Sequence, residues 1–597
     1  MVFIVYKNNI KNLVCYITGT PLFYQVYYKG LKMNSFKKFI SAFFYQSKAA
    51  TLVEYGMLVA LMSAIAIVSL INLGAITLSV FETTNDRLKF ASTAIDGTER
   101  RQSDPMIMRV NTGLTSGTLV GFIVNSSTGL VDLEVDWGDG SSPMIILSGG
   151  PVFYEYANDG IYTIQLKGKF EDMTLTGIGA DSVGKLIAVT SWGDIQPVNL
   201  NGAFERTVNL ATLPMSIPAS VRSLKGALFA SRYNGLEIKN WDVKNITDMS
   251  LMFAANTQFN QLLNTWDTSS VKNMSAMFRD TSSFNQVLFS WNVSNVEDFS
   301  SMFKNSSFSG GVDSWDTSSA KNMSSMFRGN TAFNGNISSW NVANVEDFSE
   351  MFRQSTSFNQ DISTWNTTNA KDMEKMFAEA SSFNAPIGVW DTGKVTSFKE
   401  MFYAASSFNQ PLNSWNTSVA KDMESMFAQT SFNSDISGWN TQSLIVAASM
   451  FQGNTAFNQN ISSWNTTNIQ DFASMFEQAT AFNINISGWN TTSARKMDYM
   501  FSGASAFNQD ISSWNVGNVS QFASMFEGAS SFNADLGNWD VASVTSPVNM
   551  ARMFNNASAY AGSLSCWDVI DVVSRPTLFS DGSLMAAEPL WGTPSGC

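Results

Sequence analysis

The chain has 597 residues, a formal charge of −13 and no histidine. That excludes Ser–His and Cys–His nucleophiles, imidazole acid–base chemistry and His-ligated metals, and three scattered cysteines are too few for a zinc site. Residues 1 to 49 hold seven lysines and no acid, so the remainder sums to −20, and this acidic bulk argues against nucleic acid as a partner.

In chain order, the first 32 residues show no pattern of their own, and Met33 reads as the functional start of a short basic leader, MNSFKKFISAFFYQSKAA. From Tyr55 to Phe81 there is no charge over 27 residues, long enough to cross a bilayer with some tilt. The lysines precede it, which places its N-terminal side in the cytoplasm. Glu54 sits at the lip of this run, where a carboxylate in hydrocarbon costs ~2.5 kcal/mol or more. The pattern ATLVEYG, Ala50 to Gly56, resembles type IVb pilins of the Flp (Tad pilus) family. The resemblance implies a prepilin peptidase cutting between Ala49 and Ala50. It also implies that Glu54, with Tyr55 beside it, meets the freed amino group of a neighbouring pilin subunit in the inner membrane or the filament. Ala49 departs from the glycine usual there. Residues 1–49 are thus read as extension and leader, and 50–100 as a pilin-like hydrophobic helix and linker.

Residues 105–170 read as a small β domain. Leu119 to Val124 is an apolar run, Val131 to Asp136 alternates, and Trp137-Gly138-Asp139-Gly140 is a turn before YEYANDGIYTIQLKG. VDWGDGS and Y-x-x-x-G-x-Y-T-I resemble PKD-type immunoglobulin-like modules, which implies a β-sandwich acting as a spacer. Asp136 and Asp139 are either a calcium pair or caps of the glycine-rich turn, the second being preferred.

The rest is a tandem repeat. Tryptophan recurs from Trp241 to Trp539 in steps of 24 or 25 residues, and the apolar frame Ile337, Trp340, Val342, Val345, Phe348, Met351, Phe352, Phe358 recurs with it. No single copy can bury this set alone, which is the logic of a solenoid. We expect a strand at Ser339 to Val342, a helical turn at Asp347 to Phe352 and a return loop at Arg353 to Gln360. Degenerate coils begin near Trp192 and Ile217, and a broken coil opens at Trp567. At ~4.8 Å per stacked strand, about fifteen coils span roughly 70 Å. Adjacent coils alternate Val/Phe with Ala/Met, and Glu297, Lys321, Glu346 and Lys371 alternate in sign along one column, the mark of a two-coil unit. The MF, SFNQDISTW and N-V-x-x-F elements resemble BspA-like leucine-rich repeats of bacterial surface proteins, several families of which are associated with adhesion. Residues 171–240 are read as linker and capping coils, 241–565 as the solenoid and 566–597 as the C-terminal cap.

The residue after each tryptophan forms a polar column, Asp242, Asp267, Asn292, Asp316, Asn341, Asn366, Asp391 and onward. It reads either as a shallow groove for a glycan or protein, or as a solvated face of small residues bonding one another, the latter preferred. One coil breaks the polar rule with Ile445 and Val446, which mark an apolar contact or are hidden by local repacking. Cys566 and Cys597 form one disulfide or remain free thiols.

The sequence reading is therefore an α+β repeat protein: an N-terminal transmembrane or pilin helix, an Ig-like sandwich and a leucine-rich-repeat-like solenoid. No cofactor or metal is expected, and no enzymatic activity. The function read from it is a large minor type IVb pilin displaying an adhesive solenoid outside the cell, held by a single N-terminal span before assembly. Its rivals are a membrane-anchored adhesin unrelated to pili and a polysaccharide-acting enzyme.

Overall fold

The computed structural model describes residues 15–17, 20–22, 103–127, 129–541 and 548–593. The chain divides into two units, Met1–Phe90 and Ala91–Cys597. In the first, β1 (Cys15–Ile17) and β2 (Thr20–Leu22) form an antiparallel hairpin with Cys15 opposite Leu22, where the sequence had shown no pattern.

The second unit opens with two antiparallel sheets. β3 (Met106–Asn111), β4 (Leu119–Asn125), β5 (Leu130–Asp136), β6 (Met144–Ser148), β7 (Gly150–Glu155), β8 (Ile161–Lys169), β9 (Asp172–Thr174) and β10 (Leu186–Ser191) arrange as β10-β3-β8-β5-β6 and β7-β4-β9. Alternation decides the faces: Met106, Met108 and Val110 of β3 and Val131, Leu133 and Val135 of β5 are buried together with Phe122 and Trp137. Because β10 pairs with β3, the domain continues past residue 170 to Ser191. At the turn, Gly138 has φ +76°, and a Cβ there would lie 2.3 Å from the Thr163 carbonyl oxygen, so only glycine fits.

The solenoid grows directly from this domain. Asp172 at the start of β9 makes a parallel bridge to Asn199, and the ladder then passes through Ser223, Asp248, Asn273 and one residue of every later coil as far as Asn549. The Trp192 and Ile217 coils are therefore true coils. The bridging residue of the Trp340 coil is Asp347, five positions beyond the end of the expected strand at Ser339 to Val342.

The expected helical turn is also replaced. Phe348, Glu350, Phe352 and Gln354 donate their N–H groups to Asp372, Glu374, Met376 and Ala378 of the next coil at 2.8–2.9 Å. The N–H groups between them close local turns instead, Met351 to Phe348, Arg353 to Glu350 and Ser355 to Phe352. Sending alternate N–H groups along the stack requires left-handed residues, and Glu350 and Gln354 have φ of +56° and +61°. A helix uses every N–H within itself and cannot do this. The apolar spacing Phe348, Met351, Phe352 looks helical but is produced by linked turns, with positive φ at the third residue of the Phe348–Met351 and Phe352–Ser355 turns.

The expected α+β class is thereby corrected. The described residues form strands, bridges, turns and two short 3-10 helices (Thr112–Leu114 and Leu236–Asn240), and their one α-helix is α1 (Ala180–Val183). Among the described residues no helix is long and apolar enough to cross a membrane. The N-terminal transmembrane or pilin helix and the single-span localisation resting on it are therefore withdrawn; residues 50–100, on which they were placed, lie outside the described residues.

Inside each coil the frame residues are buried as expected, Ile337, Val345, Phe348, Met351, Phe352 and Phe358 completely. They stack as ladders: Phe352 lies 3.9 Å from Phe358 within its coil and 5.7 Å from Phe377 in the next, and Trp365 lies 6.1 Å from Trp390. Such ring pairs contribute about 0.5–1.5 kcal/mol each beyond burial. The alternation of Val345/Phe348 with Ala370/Met373 fills successive layers with large and small groups in turn, all buried.

Candidate functional site

The surface between Trp340 and Asp347 is set by side chains that finish the backbone's hydrogen bonding. Asn341 Oδ1 accepts the Ala343 N–H at 3.1 Å, and the same Asx turn recurs along the column from Asp242 to Asn515. Asp242, Asp267, Asn292, Asp316, Asn366 and Asp391 cap Lys244, Ser269, Ser294, Ser318, Thr368 and Gly393 in this way. These residues are exposed, yet one oxygen of each shapes its own turn. The threonine that follows turns inward: Thr367 is 2% exposed and donates to the Asp391 carbonyl of the next coil at 2.9 Å.

Two further columns run beside this one. Asn344 and Asn369 donate through Nδ2 to the carbonyls of Ser318 and Ala343, each in the preceding coil, at 2.8 Å. In the charge column, Lys321 pairs with Glu297 at 2.6 Å and Lys371 with Glu346 at 2.7 Å. Hydrogen bonds from these lysines hold the Glu297 and Glu346 carboxyls below the usual carboxylate range. Each lysine thus reaches back to the glutamate before it, coupling the coils in twos. Between the pairs lies a groove of about 500 Å³ lined by Glu297, Ser318, Ser319, Lys321, Asn344, Glu346 and Asn369. Its lining residues Ser318, Ser319, Asn344 and Asn369 were not singled out from the sequence as binding residues. The signal was available as a Ser/Asn position repeating at the coil period, four residues after the tryptophan.

Ile445 occupies the charge column and is 36% exposed, and Val446 takes the bridging position, pairing with Asp422 and Asp471. Local repacking therefore hides neither completely. In the β domain Asp136 accepts the Gly138 N–H at 2.9 Å, while Asp139 accepts the Ser141 N–H at 3.0 Å and the Tyr154 hydroxyl at 2.6 Å. The Tyr154 and Ser141 bonds hold the Asp139 carboxyl low, and both aspartates act as caps of the glycine-rich turn. Cys566 is disulfide-bonded, and Cys597 lies outside the described residues. Ala49, Ala50, Glu54 and Tyr55, with the prepilin peptidase and pilin partners inferred from them, also fall outside the described residues.

Compared with known families, the chain matches the one described as "Mycoplasma protein of unknown function, DUF285" in four overlapping stretches, residues 223–334, 304–414, 397–509 and 484–589. Together these run without a gap from 223 to 589, more than half of the chain. The chain belongs to the DUF285 family. Each DUF285 match spans between four and five of the coils described above, so the family unit is a block of stacked coils and not a single one. No curated protein matches the chain.

Proposed function

We propose that this DUF285 protein is a cell-surface binding protein whose solenoid presents the Glu297–Asn369 groove to an extracellular glycan. The groove carries the reading: hydroxyls and amides from Ser318, Ser319, Asn344 and Asn369 stand between fixed ion pairs and recur at the coil step. A polar polymer with its own regular repeat meets such a surface in register. Because the carboxylates at the groove are committed, Glu297 and Glu346 to Lys321 and Lys371 and the neighbouring Asp316 to the Ser318 turn, we read the site as binding and not cleaving. The resemblance of the repeats to BspA-like surface proteins supports the extracellular setting.

The test is binding of the purified full chain to immobilised glycans and to host-cell surfaces, with Lys321→Glu and Glu346→Lys as variants. Both side chains are exposed, so folding is retained while the charges at the groove are inverted. We expect at least a tenfold loss of binding in each variant. Unchanged binding overturns the groove assignment, and hydrolysis of a bound polysaccharide by the wild type overturns the non-enzymatic reading.

A further inference from the structure

A different column departs from the repeat in its own way. The residue after each Met-Phe pair is Ala254, then Arg279, Lys304, Arg328 and Arg353 on four consecutive coils, then Ala378. Backbone bonds fix these residues one above another. Asp280 donates its N–H to the Lys304 carbonyl at 2.8 Å, Asn305 to the Arg328 carbonyl at 2.7 Å and Gly329 to the Arg353 carbonyl at 2.7 Å. The result is four cations, one per ~4.8 Å step, on a protein whose overall charge is negative.

The three arginines have acidic neighbours: Arg279 pairs with Asp280 at 3.2 Å, Arg328 with Glu350, and Arg353 with Glu350 and Glu379 at 3.5 Å. Lys304 makes no ion pair among the described residues, and Asn305 beside it spends its amide on Asp280. Partial burial and the flanking Arg328 and Arg279 guanidiniums hold the Lys304 ammonium below the usual lysine range, against the pull of Glu350 and Asp280. This half-buried cation therefore sits between two like charges, an arrangement that an added anion relieves.

We propose that Arg279, Lys304 and Arg328 form a site for an oxyanion group of an anionic polysaccharide lying along the stack. The groups it takes are sulfate or carboxylate: Lys304 supplies a point charge, and Arg279 and Arg328 add the N–H donors that they do not spend on Asp280 and Glu350. Single-stranded nucleic acid also presents regular anions but needs exposed aromatic faces on which its bases stack. The Phe278, Phe303 and Phe327 rings of these coils are completely buried. An acidic peptide loses more conformational freedom on binding than a stiff sugar chain. The site does not depend on the groove assignment, since its column is a separate one.

The experiment titrates the full-length protein with a heparin oligosaccharide as the sulfated probe and an oligogalacturonate as the carboxylated one, at low and physiological salt. Lys304→Glu tests the site, and Lys421→Glu, an exposed lysine of the charge column, controls for bulk charge. We expect one or both probes to bind, more weakly at higher salt. Lys304→Glu should weaken binding at least tenfold without lowering the thermal midpoint, and Lys421→Glu should change it less than twofold. Failure of both probes to bind at low salt overturns the proposal. So does equal weakening by the two variants, or tighter binding of a single-stranded oligonucleotide than of either sugar.

Discussion

The indole N–H of Trp365 donates to the carbonyl oxygen of Ile337 in the preceding coil at 3.0 Å. The same bond joins Trp340 to Val312 and Trp390 to Ile362, so the tryptophan that announces each repeat also clips it to the one before. Trp365→Phe removes this donor and leaves the Ile337 carbonyl with the Trp340 N–H as its remaining partner, so the lost bond costs about 1 kcal/mol. Urea unfolding should show the loss. Hydrogen exchange should place it in the coils around Ile337 and Trp365, since a solenoid coil is stabilised by its neighbours alone.

Left-handed backbone is held by non-glycine residues at cost. Ala404 has φ +53°, whereas Gly329, Gly453, Gly503 and Gly528 fill the equivalent position in other coils. Ala404→Gly should stabilise the protein by about 1 kcal/mol, and Ala404→Val should destabilise it by more. Denaturant midpoints of the two variants will separate in opposite directions from wild type if the conformation is as described.

Asp172 joins β9 to the first coil and has one buried carboxylate oxygen without a hydrogen-bond partner. Burial raises its pKa from the ordinary 3.8 to about 6. With the folded value above the unfolded one, the charged form weakens the fold above pH 6, and protonation relieves that penalty as pH falls through 6. Burial pushes Asp372, Asp422 and Asp498 in the same direction. The thermal midpoint should therefore rise from pH 7 to pH 5. Discounted for partial exposure, Asp172→Asn should gain about 1–2 kcal/mol at pH 7 and flatten the profile. A midpoint that falls steadily over this window contradicts the assignment.

Tyr560 replaces the phenylalanine of the Phe532 column, stacks on Phe532 at 5.8 Å and buries its hydroxyl without a partner. Tyr560→Phe should raise stability by about 1 kcal/mol, because the ring contacts remain and the stranded polar group goes. Calorimetry of the two proteins measures the difference directly.

The repeat was legible because its physics is periodic. Trp340, Phe352 and Phe358 recur at a fixed interval, and only stacking buries them all. Their local conformation was not legible. Phe348, Met351 and Phe352 have helical spacing, and the left-handed residue between them, Glu350, carries no mark in its side chain that forbids a helix. The strand was misplaced for a related reason: each coil contributes a single bridging residue, Asp347 here, too short to show alternation. The polar column after tryptophan was visible as a pattern, but an exposed Asp316 reads alike whether it binds a ligand or caps Ser318. Ser319 and Asn369 gain meaning only when adjacent coils bring them together. Lys304 was hidden by the same effect, since it is separated by about one period from both arginines that flank it.

The pairing of Lys321 with Glu297 and of Lys371 with Glu346, together with the alternation of Phe348 and Met373, has a consequence for how such a gene changes length. Recombination between near-identical copies adds or removes whole multiples of the period. Loss of one copy sets Glu297 against Glu346 and places two bulky layers in contact, whereas loss of two rejoins Glu297 to Lys371 with the alternation intact. Copy number in this lineage should therefore drift by twos, and natural variants with odd differences should carry compensating exchanges at the new junction.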